Sequence, residues 1–480
     1  MSANDPCASC LGKLSRRRFL GSISGAAVGM ALGGAALERV LAQESLSGRT
    51  QPLVRSVFLR PKGPYWLGWP GTSYDVEGHR REYTEKFTAA GEKLAVNVIH
   101  NADPLYDDAA VAEFMARVQK SPPEAILVTL LHIGYWPQAE RIASLGIPTI
   151  IFSPIGTSFT GHTLGPSRRK GVYVVSSLEL DAVAWGLKMV RAAFELRRQR
   201  ILRVAGDERS DSVVDTVGIA VRHIPRRIFH ELFAQTPDTD AVRALADDEA
   251  AHALRIVEPT RKDILNASRT YFTIKQLLQQ ENCTAFTSDC LGMVSSRVVP
   301  TPPCMAFSRL NDEGVTATCE ADLFGCASML FVSHLFDRPG FLQDPVAETW
   351  RNRFIGAHCT SATRLDGYGG AQTPYILRCH SESALGVSMQ VLWPVGRKCT
   401  MVRFEAPDSL IVDSLTVADN VPTPPAGGCR TNVMYECHTV ADARDIQGFH
   451  QVIFFGDLLP RVRDYCQLYG IRARTSGGAL

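Results

Sequence analysis

Four hundred and eighty residues, 21% charged and 45% hydrophobic, exceed what one small core organises and point to two or three domains. Lys and Arg together number 51 against 49 for Asp and Glu, which excludes a strongly basic nucleic-acid binder, a disordered tail and a coiled-coil rod. Mean hydropathy close to zero, with one apolar stretch near the N-terminus, excludes a polytopic membrane protein.

In the first segment, residues 1–42, Ser15-Arg16-Arg17-Arg18-Phe19-Leu20 precedes a Gly/Ala-rich apolar run from Gly21 to Leu37, and Val40-Leu41-Ala42 has the small-residue character of a cleavage site. A charged region, a weakly hydrophobic run and such a site read as an export signal, the alternative being a permanent anchor helix, which the many Gly and Ala residues of the run disfavour. The paired arginines ahead of Phe-Leu resemble the twin-arginine signal, whose route carries folded proteins. The expected location is the periplasm or the cell exterior, with the membrane met only through this signal. Cys7 and Cys10 form a C-x-x-C that would leave with the signal. Removing the segment takes five basic and two acidic side chains and leaves the remainder near neutrality, so neither nucleic acid nor anionic lipid is an expected partner. The remaining eleven cysteines lie between Cys283 and Cys466 with no zinc-type spacing. An odd count of this kind favours free, partly buried thiols over a complete disulfide framework.

From residue 43 to 170 short apolar runs alternate with helical patterns. Ser56–Leu59, Leu94–Ile99, Ala125–Thr129 and Thr149–Phe152 read as strands, with helices expected around Tyr83–Gly91, Ala109–Gln119 and Pro137–Leu145. Continuously apolar strands separated by helices predict a parallel, doubly wound sheet. Its ligand loops would be His100–Asp103, Leu131-His132 and Ser153–Gly156. No G-x-G-x-x-G follows the first strand, so a dinucleotide site has little support. A second α/β unit is expected over 171–353, with strands at Gly171–Val175, Ile201–Ala205 and Thr284–Thr287. Helices are expected over Leu178–Arg200, within Asp238–Gln280 and over Leu323–Leu335. From residue 354 to 480, runs such as Val387–Leu392, Cys399–Phe404 and Ser409–Val412 between Gly/Pro turns predict a mostly antiparallel β domain. The fold class is thus α/β: Rossmann-like N-terminal and central domains with parallel sheets, plus a C-terminal antiparallel β domain.

The segment Leu310-Asn311-Asp312-Glu313-Gly314, followed by Cys319-Glu320-Ala321-Asp322, places acidic residues just ahead of a helix, where carboxylates commonly cap. It also resembles the core signature of the L-fucose isomerase and L-arabinose isomerase superfamily. Gly356-Ala357-His358-Cys359 is similar to the Gly-x-His of the arabinose isomerases, and Gly448–Asp457 to the histidine segment near their C-terminus. The order acid, acid, His, His is retained. The resemblance implies a divalent metal, usually manganese, and a homo-oligomer. It further implies the ligands Asp289, Glu320, Asp322, His358 and His450, with Glu320 and Asp289 as the acid/base pair. Glu320 matches the second acidic position of the arabinose-type site, and Asp322 an aspartate of the fucose-type site. The first acid is a glutamate in the family, and Asp289, one methylene shorter, is the residue available here.

The chemistry fits these residue types. Moving a carbonyl between adjacent carbons of a sugar removes a proton beside the carbonyl and returns it one carbon away, through an enediol. A hard divalent cation stabilises the two oxygens, and a carboxylate shuttles the proton. The expected function is therefore an exported, metal-dependent aldose–ketose isomerase acting on a monosaccharide. A non-catalytic exported sugar-binding protein, favoured by the shortened Asp289, and a metal-assisted sugar epimerase stay open as alternatives. His380 reads equally as a pocket or a turn residue. Arg168-Arg169-Lys170 reads as a solvated loop more readily than a phosphate clamp, and Trp66 and Trp69 read as sugar-stacking or packing residues.

Overall fold

Strands that are apolar along their whole length need cover on both faces, and the first five obtain it. In the computed structural model, which describes residues 49–63, 68–215, 217–406, 408–424 and 428–480, these strands are β1 (Leu53–Leu59), β2 (Asn97–His100), β3 (Ala125–Leu130), β4 (Thr149–Pro154) and β5 (Val172–Ser177). The export segment, Cys7, Cys10 and Trp66 lie outside the described residues. All five strands are parallel, in the order β2-β1-β3-β4-β5, a doubly wound arrangement. Alternate side chains go to opposite faces. Phe58, Leu127 and Phe152 pack with Tyr83 and Phe87 of the helix Val76–Lys93 and with the helix Asp181–Arg198. Val57, Ile126, Val128 and Ile151 pack against the helices Asp108–Lys120 and Trp136–Ala143. β2 begins later than its apolar run suggests, because the preceding helix continues to Lys93 and Ala95 turns the chain at φ +51°.

The second sheet contains β6 (Arg200–Val204), β7 (Ser210–Val214) and β8 (Ile219–Ile224). The two-residue β9 (Arg255–Ile256) lies elsewhere, and β10 (Ala285–Ser288) and β11 (Ala317–Thr318) complete the sheet in the order β11-β10-β6-β8-β7. β7 is antiparallel to β8, and the rest run parallel. The helical stretch expected over Asp238–Gln280 divides into Asp240–His252 and Arg261–Gln280. Each has its own threonine cap, and Thr260 forms a reciprocal capping box with Asp263.

The antiparallel region begins at Phe341, ahead of Phe354 where the sequence pattern changes. Its strands are β12 (Phe341–Glu348), β13 (Arg353–His358), β14 (Tyr375–Arg378), β15 (Ser388–Val391), β16 (Lys398–Ala406), β17 (Ser409–Asn420), β18 (Thr431–Cys437), β19 (Gln451–Phe455), β20 (Arg472–Thr475) and β21 (Gly478–Ala479). Pairing runs β16-β19-β12-β13-β18-β17, and β17 pairs back onto β16, which closes a six-stranded antiparallel barrel. β20 and β21 extend from β17, while β14 and β15 join β9 in a small sheet. The fully buried Trp393 packs edge-on to Phe455 at 5.1 Å and beside Phe341 at 5.5 Å. Its indole N–H donates to Ser361 Oγ at 3.0 Å, so the large ring is buried with its polar atom satisfied. No helix among the described residues is long and apolar enough to cross a membrane.

Candidate metal centre

The parallel strands of the second sheet end beside the barrel, and four side chains meet there. Glu320 follows β11 at the C-terminal end of that sheet. Glu320 and Ala321 both take left-handed backbone angles, φ +61° and +54°. Such a conformation is costly for residues with a Cβ and persists only where the surroundings hold it. Here Ala321 N–H donates to Ser288 O at 2.9 Å, and Arg203 Nε donates to Ala321 O at 3.1 Å. Upstream, the Asn311 amide bonds both the N–H and the C=O of Ala317, fixing β11 as it enters the turn.

The barrel supplies the other three. β12 lies between β13 and β19, with Asp344 paired to Ala357 on one side and Gln343 paired to Gln451 on the other. That register sets Asp344 between His358, the last residue of β13, and His450, just before β19. His450 is also left-handed, at φ +54°. Gly356 in β13 is required for space: a Cβ there would come within 2.7 Å of Gln343 Oε1 and 2.8 Å of the Tyr435 ring. Glu320, Asp344, His358 and His450 each offer one ligand atom, and all four atoms lie within 4.8 Å of one another.

His450 is held from both sides. Its Nδ1–H donates to Asp322 Oδ2 at 2.8 Å, and its Nε2 lies 3.0 Å from Glu320 Oε2 and 3.4 Å from Asp344 Oδ1. Asp322 is itself anchored by Arg403 Nη1 at 2.6 Å, and it caps the helix Leu323–Phe336 by accepting the Gly325 N–H at 3.1 Å. Burial opposes the charge on His450, but its hydrogen bonds to Asp322 and Glu320 outweigh it and push the imidazole up to about 9. Burial likewise opposes the Asp322 charge, yet His450 and Arg403 hold its carboxyl far below the usual range. The His450 hydrogen bond lowers Glu320, whereas burial raises Asp344 despite the two nearby imidazoles.

The donor set fits a divalent cation. Asp344 Oδ1 and His358 Nε2 are buried atoms that make no hydrogen bond among the described residues and have only long ionic contacts, 3.4 Å to His450 Nε2 and 3.9 Å to Glu320 Oε1, a poorly satisfied state that a cation would relieve. The Cys359 N–H donates to His358 Nδ1 at 3.0 Å, leaving Nε2 as the ring atom turned toward the cluster. Two carboxylates and two imidazoles suit a hard or borderline cation. The pairing of Asp322 with the far nitrogen of His450 is the carboxylate–histidine arrangement that orients metal ligands.

Of the residues singled out by sequence, Glu320, His358 and His450 come together. Asp322 stands behind His450 instead of facing the centre. Asp289 is not in the cluster: its carboxylate accepts the Gly292 N–H at 2.9 Å, capping the helix Cys290–Ser296, and pairs with Arg226 at 3.1 Å. Asp289 is not among the four grouped residues and its carboxylate is engaged by the cap and by Arg226, which differs from the expectation of Asp289 as ligand and acid/base partner. Asp344 takes part in its stead, and the chain order acid, acid, His, His is then Glu320, Asp344, His358, His450. Asp312 accepts from Thr363 N, Thr363 Oγ1 and Arg364 N and is structural. His380 both closes a turn, with its Nδ1 3.0 Å from Ser383 Oγ, and lines the cavity at the cluster. Arg168-Arg169-Lys170 is an exposed loop, and Trp69 is exposed with its ring edge-on to Phe159 at 5.3 Å.

No family model matches the chain. Over 109 residues the chain is 31% identical to the sulfoquinovose isomerase of Clostridium sp. (strain MSTE9), covering 21% of this chain and 24% of that protein. The match therefore spans about a quarter of the relative's length. A sugar ABC transporter (sugar-binding protein) from Bacillus halodurans is 12% identical, covering 62% of this chain and 91% of that one, at a TM-score of 0.18 that carries no weight. Over those 109 residues the chain is similar to a sugar isomerase.

Proposed function

We propose that this chain is a divalent-cation-dependent aldose–ketose isomerase acting on a monosaccharide. The observation that carries the reading is the convergence of Glu320, Asp344, His358 and His450, two of which present buried atoms without a hydrogen bond. The isomerase relative, matched over part of its length, lends support. The non-catalytic alternative drew on Asp289 as a shortened first acid; with Asp344 providing the second carboxylate of the cluster, that argument loses its basis.

Glu320, Asp344, His358 and His450 would hold the cation, with manganese the proposed ion. Once bound, it would supply positive charge to two neighbouring sugar oxygens as negative charge develops on them. The imidazoles of His358 and His450 are 5% and 6% exposed, while the carboxylates of Glu320 and Asp344 keep 25% and 29% of their surface open. A substrate therefore meets the carboxylates first. In this reading Glu320 removes the proton beside the carbonyl and returns it to the adjacent carbon, and Asp344 moves the hydroxyl proton between the two oxygens. His450 keeps its orientation through Asp322 and Arg403. Export by the twin-arginine route is part of the proposal, supported by Ser15–Leu20. Replacing Arg16 and Arg17 by Lys should retain the protein in the cytoplasm.

The test is metal analysis of the purified chain, with exchange of the substrate C–H into deuterated water followed by NMR across a panel of aldoses. Stoichiometric cation, plus exchange and ketose formation that Glu320→Gln abolishes, is the expected result. Equal and negligible metal in wild type and in Asp344→Asn would remove the proposal.

A further inference from the structure

At the cation cluster, sharing three of its residues, lies a cavity of about 60 Å³ whose wall is rich in sulfur. Cys290, Cys304, Cys319, Cys359 and Cys429 line it, together with Glu320, Asp344 and His358 of the cluster. None of the eleven cysteines among the described residues is in a disulfide. Within the wall, the Cys359 thiol faces those of Cys304 and Cys429. Cys359 follows β13 directly, and its Sγ accepts the Arg430 N–H at 3.4 Å, so the segment carrying Cys429 runs alongside it. The strand register agrees, with His358 opposite Thr431.

The two neighbours of Cys359 differ in what they can do. Cys304 heads the helix Cys304–Asp312 and is 2% exposed, set in packed structure. Cys429 is only partly buried and follows Gly428, whose φ of +88° belongs to a turn. A disulfide requires the sulfurs to approach to about 2 Å with a constrained dihedral. A turn yields that displacement more readily than the first residue of a buried helix. The cavity also selects its reagent. One water needs about 10–15 Å³ of such space, so the cavity has room for a few waters or for hydrogen peroxide and none for a tripeptide disulfide.

We propose that Cys359 and Cys429 are a hydroperoxide-oxidisable pair, a modification site in the wall shared with the cation cluster. Hydrogen peroxide transfers one oxygen to the first sulfur: the O–O bond breaks, an S–O bond forms, and one water leaves. The second sulfur then displaces the hydroxyl of the resulting sulfenic acid, forming the S–S bond and releasing a second water. Two thiols and one hydrogen peroxide give one disulfide and two waters, the two electrons passing from sulfur to peroxide. The proposal does not depend on the isomerase reading.

The test treats the full-length chain with hydrogen peroxide, quenches with an alkylating reagent under denaturing conditions, and maps peptides by mass spectrometry. The expected product is a reductant-sensitive peptide cross-linking Cys359 to Cys429, with these two thiols consumed roughly tenfold faster than Cys283 and Cys466, which do not line the cavity. Oxidised glutathione at the same concentration should not form it. Cys429→Ser should leave Cys359 as a sulfenic acid that a 1,3-dione traps. Cys399→Ser, away from the cavity, should leave the cross-link at the wild-type yield. Indiscriminate oxidation of the cysteines, or a Cys304–Cys359 cross-link in place of the expected one, would overturn the proposal. So would the absence of both a cross-link in the wild type and a trapped sulfenic acid in Cys429→Ser.

Discussion

The first sheet is wholly parallel and the second is parallel but for its edge strand β7, and the two end differently. At the first, β1 to β5 deliver His100, His132 and Ser153 to the C-terminal edge, where they contribute nothing to the four-residue cluster. At the second, the edge abuts the barrel, and the turn after β11 places Glu320 against three barrel side chains. The difference shows that a strand terminus provides only an address for a site. Chemistry needs a second layer to bury the donors and fix their distances. The same contrast operates within the second sheet. Asp289, after β10, is consumed by a helix cap and Arg226, whereas Glu320, after the neighbouring strand, faces the barrel rim.

The sharpest way to break this contrast is at Glu320. Glu320→Gln keeps shape and removes charge, and should lower turnover by about 10²–10⁴-fold while sharply reducing bound cation, read by metal analysis and isotope exchange. Asp322→Asn tests the orienting role behind His450. Cation affinity should fall by about 10–100-fold, measured by calorimetric titration, with the protein still folded.

A third test uses pH in the cation-free chain. His450 keeps its proton up to about pH 9 when folded, whereas an unfolded histidine loses it near about 6.5. Below about 6.5 both states are protonated and the stabilisation from this group is fully present. As pH rises through the window, the folded state alone holds the proton, so that stabilisation is lost by about pH 9. Denaturant midpoints across this range should fall in the wild type and fall less in Asp322→Asn. The smallest effects belong to the regions outside the cluster. Asp289→Ala should cost about 1 kcal/mol of stability through its cap and leave cation affinity unchanged. His132→Ala in the first sheet should leave cation affinity unchanged as well.

Much of the architecture was legible in the chain. The apolar runs at β1, β3, β4 and β6 announce buried parallel strands, and the change to short β runs announces the barrel. β7 was missed because Ser210–Val214 is mostly polar and exposed, an edge strand without an apolar signature, and β8, whose buried Ile219, Val221 and Ile224 are interrupted by Arg222 and His223, was missed with it. Glu320, His358 and His450 were legible through their flanking residues. Asp344 was not: it sits inside the strand sequence Phe341-Leu342-Gln343-Asp344-Pro345, where a lone carboxylate reads as a solvent-facing position. Its partner His450 is more than a hundred residues away, and only the pairing of β12 with β19 brings the two together. Asp289 drew attention for its place in chain order, which says nothing of the arginine waiting beside it.

The closed ring of strands bears on how securely this constellation is kept. In an open sheet, β12 could slip by one residue against β19 and turn Asp344 to the opposite face at the cost of a few local hydrogen bonds. In this barrel β12 is clasped on both sides and the ring returns to its start through β16 and β17, so a slip must propagate around the whole circuit or tear a seam. Sequence drift in the outward-facing positions of the barrel is thus insulated from the alignment of its ligating atoms, and what would be lost first in a damaged barrel is the donor spacing, ahead of the fold itself.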